Sequence, residues 1–285
     1  MNETNVKNKE KKLVSIQGYE GSFHQMAAEK YFGNEVTVIP CATFRDVIKI
    51  AEDKKLSNGG VMAIENSIAG SILPNYTLLQ NNKTLKITGE IYLPIAQHLM
   101  VNPGVKLEEV NEVHSHHMAI QQCMEYLGQR HWKLVETEDT ALSAKHVFQR
   151  KSKHIAAVAS ELAAEMYGLE IIAENIHTQK SNYTRFLILE RIAEAEPVID
   201  ANKASINFIT DHTKGSLAKV LTLIAQEDIN LSKLQSMPIA GTNFKYSFHA
   251  DLEFATLKQF NNVLKEIDKC TEQTKVFGVY RNGQV

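Results

Sequence analysis

Asn182-Tyr183-Thr184-Arg185-Phe186 sets an amide, a hydroxyl, a fixed cation and an aromatic ring within five consecutive residues. The apolar run Phe186–Leu189 follows at once and reads as a buried strand. Polar groups at the mouth of such a strand point into a cleft. There Arg185 would meet a carboxylate or phosphate with a planar fork of donors. Thr184 would sit within a residue of that anion, placed to donate a hydrogen bond. The same residues also suit a surface arginine beside a strand, and spacing alone does not choose.

Other stretches carry polar groups where strands end. Gly18-x-x-Gly21-Ser22 lies between a strand and a helix, where glycines permit a tight turn and free backbone N–H groups face an anion. It lacks the third glycine of a dinucleotide fingerprint and the Lys-Ser/Thr pair of a P-loop. Glu65-Asn66-Ser67-x-x-Gly70-Ser71 follows the strand Val61–Ile64 and reads as a ligand site or as a turn capping the next helix. His114-Ser115-His116-His117 has three imidazoles in four residues, yet no Cys or carboxylate at ligand spacing, so no metal is expected. His116 stays a cleft candidate because a strand ends there. Glu138-Asp139-Thr140 precedes a helix, which makes Asp139 or Thr140 an N-cap that can also touch a ligand. Gly215-Ser216-Leu217-Ala218 opens a helix and Asn230-Leu231 a strand, as a small-molecule pocket or as a plain helix start and turn.

The elements that hold these residues alternate. From Leu13 to about Arg191 short apolar strands exchange with amphipathic helices, which argues for parallel α/β sheets. Strands are expected at Leu13–Gln17, Val36–Pro40, Gly60–Ile64, Val110–His114, Lys133–Glu136, Ile155–Ser160 and Leu169–Ala173. Helices are expected at Phe23–Phe32 with Ser22 as N-cap, Phe44–Asp53, Asn75–Asn81, His117–Leu127, Thr140–Phe148 and Glu161–Tyr167. The long extended stretch Lys86–Val101, broken at Pro94, has the length of a crossover. Two α/β lobes with a cleft between them follow, the chain crossing near 90–98 and returning near 175–185. Ligands in open α/β sheets bind beyond the carboxyl ends of strands, where the loops after Gln17, Ile64, His114 and Glu136 fall. After the linker Ala193–Asn202, the strands Ala204–Thr210, Ile229–Ile239, Lys245–Glu253 and Thr274–Tyr280 and the helices Leu217–Gln226 and Thr256–Asp268 make a ferredoxin-like βαββαβ unit of about 80 residues. Lys245–Glu253 alternates as a half-buried strand, so one sheet face or an edge is left for pairing.

Composition narrows the class. At 285 residues, 44% hydrophobic and 22% charged, the chain has room for two or three ordinary domains. A net charge of −2 advertises no broad basic surface for nucleic acid. Cys41, Cys123 and Cys270 are sparse and odd in number, which fits a reducing cytosol. Residues 1–12 are charged without an apolar core, as in a disordered tail and unlike a signal peptide. No apolar run approaches the ~20 residues of a membrane helix.

Five blocks in order resemble prephenate dehydratases: Gly18–Phe23 with Ala27-Ala28, Ile64–Ser71, Ser115-His116 with Gln122-Cys123, Ala157–Leu169, and Ala173–Leu189. The likeness covers about residues 13–282, and the C-terminal unit resembles an ACT domain, that family's amino-acid-sensing module. It implies a two-lobed, periplasmic-binding-protein-like catalytic domain over 13–192, with lobe 1 near 13–90 and 175–192 and lobe 2 near 91–174. A linker at 193–202 and an ACT domain at 203–282 would follow. No chorismate mutase segment is expected ahead of residue 13. The implied reaction turns prephenate into phenylpyruvate by loss of the ring hydroxyl and of CO₂, without metal or cofactor, in the cytosol. The resemblance gives Thr184 the hydrogen bond to the leaving hydroxyl, Arg185 a substrate carboxylate and Phe186 the ring. Ser22, Asn66 and Ser67 would complete the anion cradle, with Glu65, Gly70, His116, Thr140 and Asn182 around it. Glu65 or His116 could instead be the proton donor. L-Phenylalanine is the implied inhibitor at Gly215, Ser216, Leu217, Ala218, Asn230 and Leu231, in a homodimer or homotetramer built through ACT domains. The chain departs from the family at Gln235-Ser236-Met237-Pro238, where Glu-Ser-Arg-Pro is usual, and at His117-Met118, where Pro-Gln is common. Arogenate dehydratase is the alternative enzyme, and a non-catalytic anion-binding or sensing protein the alternative class.

Overall fold

The structure, a computed structural model, describes residues 11–33, 35–211, 213–243 and 245–283. The tail expected over 1–12 falls, up to residue 10, outside the described residues. The chain divides into two compact units. One comprises the chain up to Gly70 with Leu93–Phe186, the other Ser71–Tyr92 with the chain from Leu187 onward.

In chain order the first elements are β1 (Leu13–Gln17), α1 (Phe23–Phe32), β2 (Thr37–Cys41), α2 (Phe44–Glu52), β3 (Gly59–Asn66), β4 (Gly70–Ser71), α3 (Leu73–Asn81), β5 (Leu85–Pro94) and β6 (His98–Val101). There follow β7 (Glu112–His116), α4 (His117–Gln122), α5 (Met124–Leu127), β8 (Lys133–Thr137), α6 (Thr140–Arg150), β9 (Ile155–Ala159), α7 (Glu161–Tyr167), β10 (Glu170–Ala173) and β11 (Tyr183–Arg191). The last are β12 (Lys203–Ile209), α8 (Ser216–Gln226), β13 (Asn230–Pro238), β14 (Tyr246–Glu253), α9 (Leu257–Asp268) and β15 (Gln273–Tyr280).

One sheet runs β2-β1-β3-β11-β5, with β4 beside β3. Here β1 is parallel to both β2 and β3, as the strand–helix alternation requires. A second sheet runs β10-β6-β9-β7-β8. Its β7 is parallel to β8 and β9, but β6 is antiparallel to β9 and β10, so the expected parallel sheet is mixed. The reason is local. No crossover helix leads into β6, which β5 feeds through an extended segment. Both faces of this sheet are covered. Leu99, Val101, Val113 and Val158 pack with Ile120, Cys123 and Leu127 on one side, while Met100, Ala157 and Ala159 pack with Ala144, Val147 and Ala163 on the other. Alternate residues of one strand thus serve opposite cores.

The extended segments between the sheets run together. Ile95 N donates to Asn182 O at 2.8 Å and Ile176 N to Gln97 O at 2.8 Å. Several boundaries differ from the sequence reading by one or two residues, and two of the differences have a visible cause. The strand expected at Val110–His114 begins two residues later, because Val110 is buried as part of a loop. The helix expected at His117–Leu127 breaks at Cys123.

In the second unit, β12–β15 and α8–α9 form the βαββαβ sheet, ordered β13-β14-β12-β15 with each neighbouring pair antiparallel. Its helices cover Ile206, Phe208, Ala250 and Leu252. The opposite face is not free, contrary to the half-buried reading of β14. Ser247, His249 and Asp251 are as buried as their apolar neighbours. Tyr76 of α3 stands edge-on to His249, Gln80 donates to Ser247 Oγ at 3.3 Å, and Lys275 Nζ donates to the last carbonyls of α3.

Candidate functional site

Thr184, Arg185 and Phe186 stand inside β11, not at its mouth. Thr184 is half-buried, Arg185 is 4% exposed and Phe186 1%. The strand starts early because Ser67 clamps it. Ser67 N donates to Tyr183 O at 2.8 Å, and Tyr183 N donates back to Ser67 Oγ at 2.9 Å. Ser67 Oγ also donates to Ser181 O at 3.4 Å. The Ser67 hydroxyl, expected in an anion cradle, is therefore engaged by backbone.

Asn66, the last residue of β3, reaches three acceptors with its amide nitrogen: Asn182 Oδ1 at 2.8 Å, Thr184 Oγ1 at 3.0 Å and Tyr183 O at 3.1 Å. Asn182, 1% exposed, passes the contact on by donating to Gln122 Oε1 at 3.2 Å. Four polar side chains from β3, α4 and the start of β11 thus form one chain ending at the Thr184 hydroxyl. Gln122 is the member that residue-by-residue reading missed. Its cue was the Gln122-Cys123 block, and nothing in the spacing pointed it at Asn182.

His24 was also missed. Its Nε2 accepts the Ala63 N–H at 3.3 Å, beyond the last registered β1–β3 pair, Ile16 with Val61. The ring stands edge-on to Phe186 at 4.9 Å and beside Phe44 at 5.6 Å. Burial among these groups pushes its pKa down to about 3. A neutral ring is what an acceptor nitrogen needs.

The glycine turn before α1 meets the second sheet's helices. Ser160 Oγ donates to Gly21 O at 2.6 Å and Tyr167 OH to Glu20 O at 3.0 Å. A Cβ at Gly21 would sit 3.0 Å from Ala163 Cα, so this turn needs glycine for close approach as well as for its φ of +86°. Ser22 caps α1 as expected, its hydroxyl accepting Gln25 N at 3.4 Å.

The remaining candidates are more scattered. Glu65 is partly buried on β3 just before Asn66, and Gly70 is exposed at β4. Asp139, not Thr140, caps α6, its Oδ1 accepting Leu142 N at 3.0 Å; Thr140 is the first helical residue. His116 caps α4 through Nδ1, which accepts Met118 N at 3.3 Å. Burial and then His117 hold its pKa below the ordinary value, with Glu136 acting the other way. A neutral imidazole with Nδ1 occupied keeps only its Nε2–H to offer, which weakens His116 as a proton source. His114 turns away to Glu112 at 3.1 Å. Among the described residues no group of three or more His, Cys, Asp or Glu side chains is placed to hold a metal. No helix among them is long and apolar enough to cross a membrane. In the second unit, Gly215 caps α8 at φ +85°, Ser216, Leu217 and Ala218 form its first turn, and Asn230 and Leu231 open β13. Asn230 Nδ2 donates to Glu253 Oε2 at 3.0 Å.

A family model described as prephenate dehydratase matches residues 14–194, the span that holds every member of the Thr184 chain. The protein belongs to the prephenate dehydratase family. The bifunctional chorismate mutase/prephenate dehydratase of Enterobacter agglomerans is 32% identical over 278 residues, 95% of this chain and 71% of that one. Arogenate dehydratase 2 of Petunia hybrida is 35% identical over 286 residues, 94% of this chain and 71% of that one. Among solved structures, one described as GqqA, a novel type of quorum quenching acylases, is 29% identical with a TM-score of 0.86, covering 95% of this chain and 98% of that one. The Arthrobacter aurescens prephenate dehydratase in complex with L-Phe superposes with a TM-score of 0.85 over 95% of this chain and 90% of that one; at 23% identity it shows the fold.

Membership of the prephenate dehydratase family makes the protein an enzyme of the lyase class. The matched span ends near β11, so the βαββαβ sheet lies outside it. For a prephenate dehydratase scaffold the arrangement is chemically economical. A single hydroxyl, Thr184, is backed by amides instead of acids, and the next residue of the same strand, Arg185, is buried. The side-chain chain from Gln122 to Thr184 contains amides and a hydroxyl and no strong acid.

Proposed function

We propose that the protein catalyses the decarboxylating dehydration of prephenate to phenylpyruvate. The ring carboxylate leaves as CO₂, its bonding electrons enter the ring, and hydroxide departs from the opposite carbon, taking up a proton to become water. Aromaticity supplies the driving force. Arg185 contributes fixed positive charge toward a substrate carboxylate, Phe186 and the edge-on His24 shape the apolar wall, and Thr184 donates a hydrogen bond to the departing oxygen. Ser22, Glu65, Gly70, Thr140 and Asn182 are proposed around the same substrate, with His116 in a secondary role. The observation that carries the reading is the dehydratase match over the strand that bears Thr184 and the buried Arg185. Arogenate is the second candidate substrate, favoured by the 35% identity to an arogenate dehydratase. Fold alone does not choose a chemistry. The test is incubation with prephenate and with arogenate, following phenylpyruvate by its absorbance in alkali and phenylalanine by separation. Binding of either without turnover would make the protein a binder.

We further propose that residues 13–192 are the catalytic part and that 203–282 form an ACT regulatory domain in a cytosolic homodimer or homotetramer, inhibited by L-phenylalanine. Support comes from the βαββαβ topology, from Gly215 at the start of α8 and from the L-Phe complex of the Arthrobacter relative. Gln235-Ser236-Met237-Pro238 carries neither charge of the usual family element. Millimolar L-phenylalanine should lower the rate and change the sedimentation profile; flat curves in both would remove this part of the proposal.

A further inference from the structure

The amide of Asn66 has only one orientation consistent with its surroundings. Its Oδ1 accepts Ile68 N at 3.0 Å and Ala69 N at 2.9 Å, which occupies both carbonyl lone pairs in a turn of the Asx kind. Flipping the amide would press its NH₂ against two backbone donors. The nitrogen therefore faces β11, and toward Thr184 the group can only donate. A threonine hydroxyl has one proton and two lone pairs. Set against a pure donor, Thr184 Oγ1 must accept, and its own proton must point elsewhere.

The neighbouring groups keep that polarity. Asn66 has two amide protons for three acceptors, and the shortest contact goes to Asn182 Oδ1. Asn182 is held by this bond on one side and by its own donation to Gln122 Oε1 on the other. It therefore cannot rotate to offer Thr184 an acceptor without breaking both. Donation runs outward from Asn66 to Thr184 on one side and through Asn182 to Gln122 on the other. Thr184 is half-buried, so its side chain is not fully enclosed by protein.

We propose that Asn66 is a positioning residue: it holds the Thr184 oxygen as an acceptor and so reserves the hydroxyl proton for the departing oxygen of the substrate. This deepens the dehydratase reading and rests on it. It moves Asn66 from contacting substrate to acting through Thr184.

The experiment uses the full chain with prephenate, measuring kcat and KM from pH 4 to pH 9 for the wild type, Asn66→Asp, Asn66→Ala, Thr184→Val and the Asn66→Ala/Thr184→Val pair. In Asn66→Asp an ionised carboxylate would accept the Thr184 proton and reverse the polarity. At neutral pH the kcat of this variant should fall roughly 100-fold or more, the scale of losing one preorganised donor, with KM little changed. As the pH falls toward the range where carboxylates protonate, about 4 to 5, the introduced carboxyl group regains a proton to donate and part of the activity returns. The wild type should have no such rise on the acid side. In the double-mutant cycle, Asn66→Ala should cost nothing further once Thr184 is replaced by Val. Should Asn66→Asp fail to fold, the uncharged Asn66→Ala cycle carries the test alone. Near-wild-type kcat at neutral pH in Asn66→Asp, a loss confined to KM, or independent effects that multiply in the cycle would each overturn the proposal. A wild type inert toward both prephenate and arogenate overturns the functional reading instead.

Discussion

The Lys203 ammonium lies 2.9 Å from the Glu90 carboxylate, with the two side chains 1% and 0% exposed. β12 and β5 thereby share an ion pair that water does not reach. Tyr92 OH accepts from the same ammonium at 3.2 Å, Gly283 N donates to the Glu90 oxygen at 3.1 Å, and Glu253 stands 3.4 Å from Lys203. Removing one member leaves the other charge buried without its main partner. Lys203→Met should cost about 3–5 kcal/mol, and Lys203→Met with Glu90→Leu should recover most of it. Urea midpoints of the wild type, the single and the double variant check this. Equal losses in single and double variants would mean that packing, not charge, is at stake.

Close approach of the same two regions depends on a glycine without positive φ. A Cβ at Gly278 would collide with the carbonyl oxygen of Ile87 on β5. The obstacle is backbone, which no rotamer change can clear. Gly278→Ala should lower stability by at least the ~1–3 kcal/mol of ordinary overpacking, seen as a fall in melting temperature. Gly70 offers the contrast: it has open space around it and a φ of +81°, so there the need is conformational.

Substitution of Thr184 separates chemistry from binding. Thr184→Val keeps the shape and removes the hydroxyl, and should lower kcat by about 10²–10³ with little change in KM. Thr184→Ser keeps the donor and should retain much of the rate. Phenylpyruvate formation under saturating prephenate is the measurement. Wild-type turnover in Thr184→Val would move the role to Glu65 or His116.

Acid stability should carry the mark of His24. Its folded pKa is pushed to about 3 from an ordinary 6.5. Between those values the unfolded chain binds a proton that the folded chain refuses, so stability falls as the pH drops from 6.5 toward 3 and is unaffected above that window. His24→Phe keeps the aromatic packing and should lose this part of the slope. Urea midpoints at pH 7.5 and 4.5 in both proteins give the comparison, and identical slopes would assign the acid sensitivity to other groups.

Local signals were sufficient where the causes are local. Leu13–Gln17, Phe23–Phe32 with its Ser22 cap and Glu161–Tyr167 match the structure residue for residue, because alternation, helical spacing and capping act within a few positions. Strand edges drifted where burial and strand pairing part company. Val110 is buried in a loop, whereas Tyr183, exposed and polar-tipped, belongs to β11 because Ser67 holds its backbone. Thr184 and Arg185 were visible as candidate residues, but their place inside the strand was not.

Residue order thus sufficed for the α/β alternation and the βαββαβ segment, since each follows from periodicity. Tertiary packing alone set the partners. Asn66 and Thr184 are separated by 118 positions, and which way an amide faces depends on the backbone donors around it. Likewise Ser247, His249 and Asp251 alternate like a solvent face and are buried because Tyr76 and Gln80 of α3 fold over them. Hydrogen-bond direction and the covering of a polar face are properties of neighbours in space, and a one-dimensional pattern does not contain them.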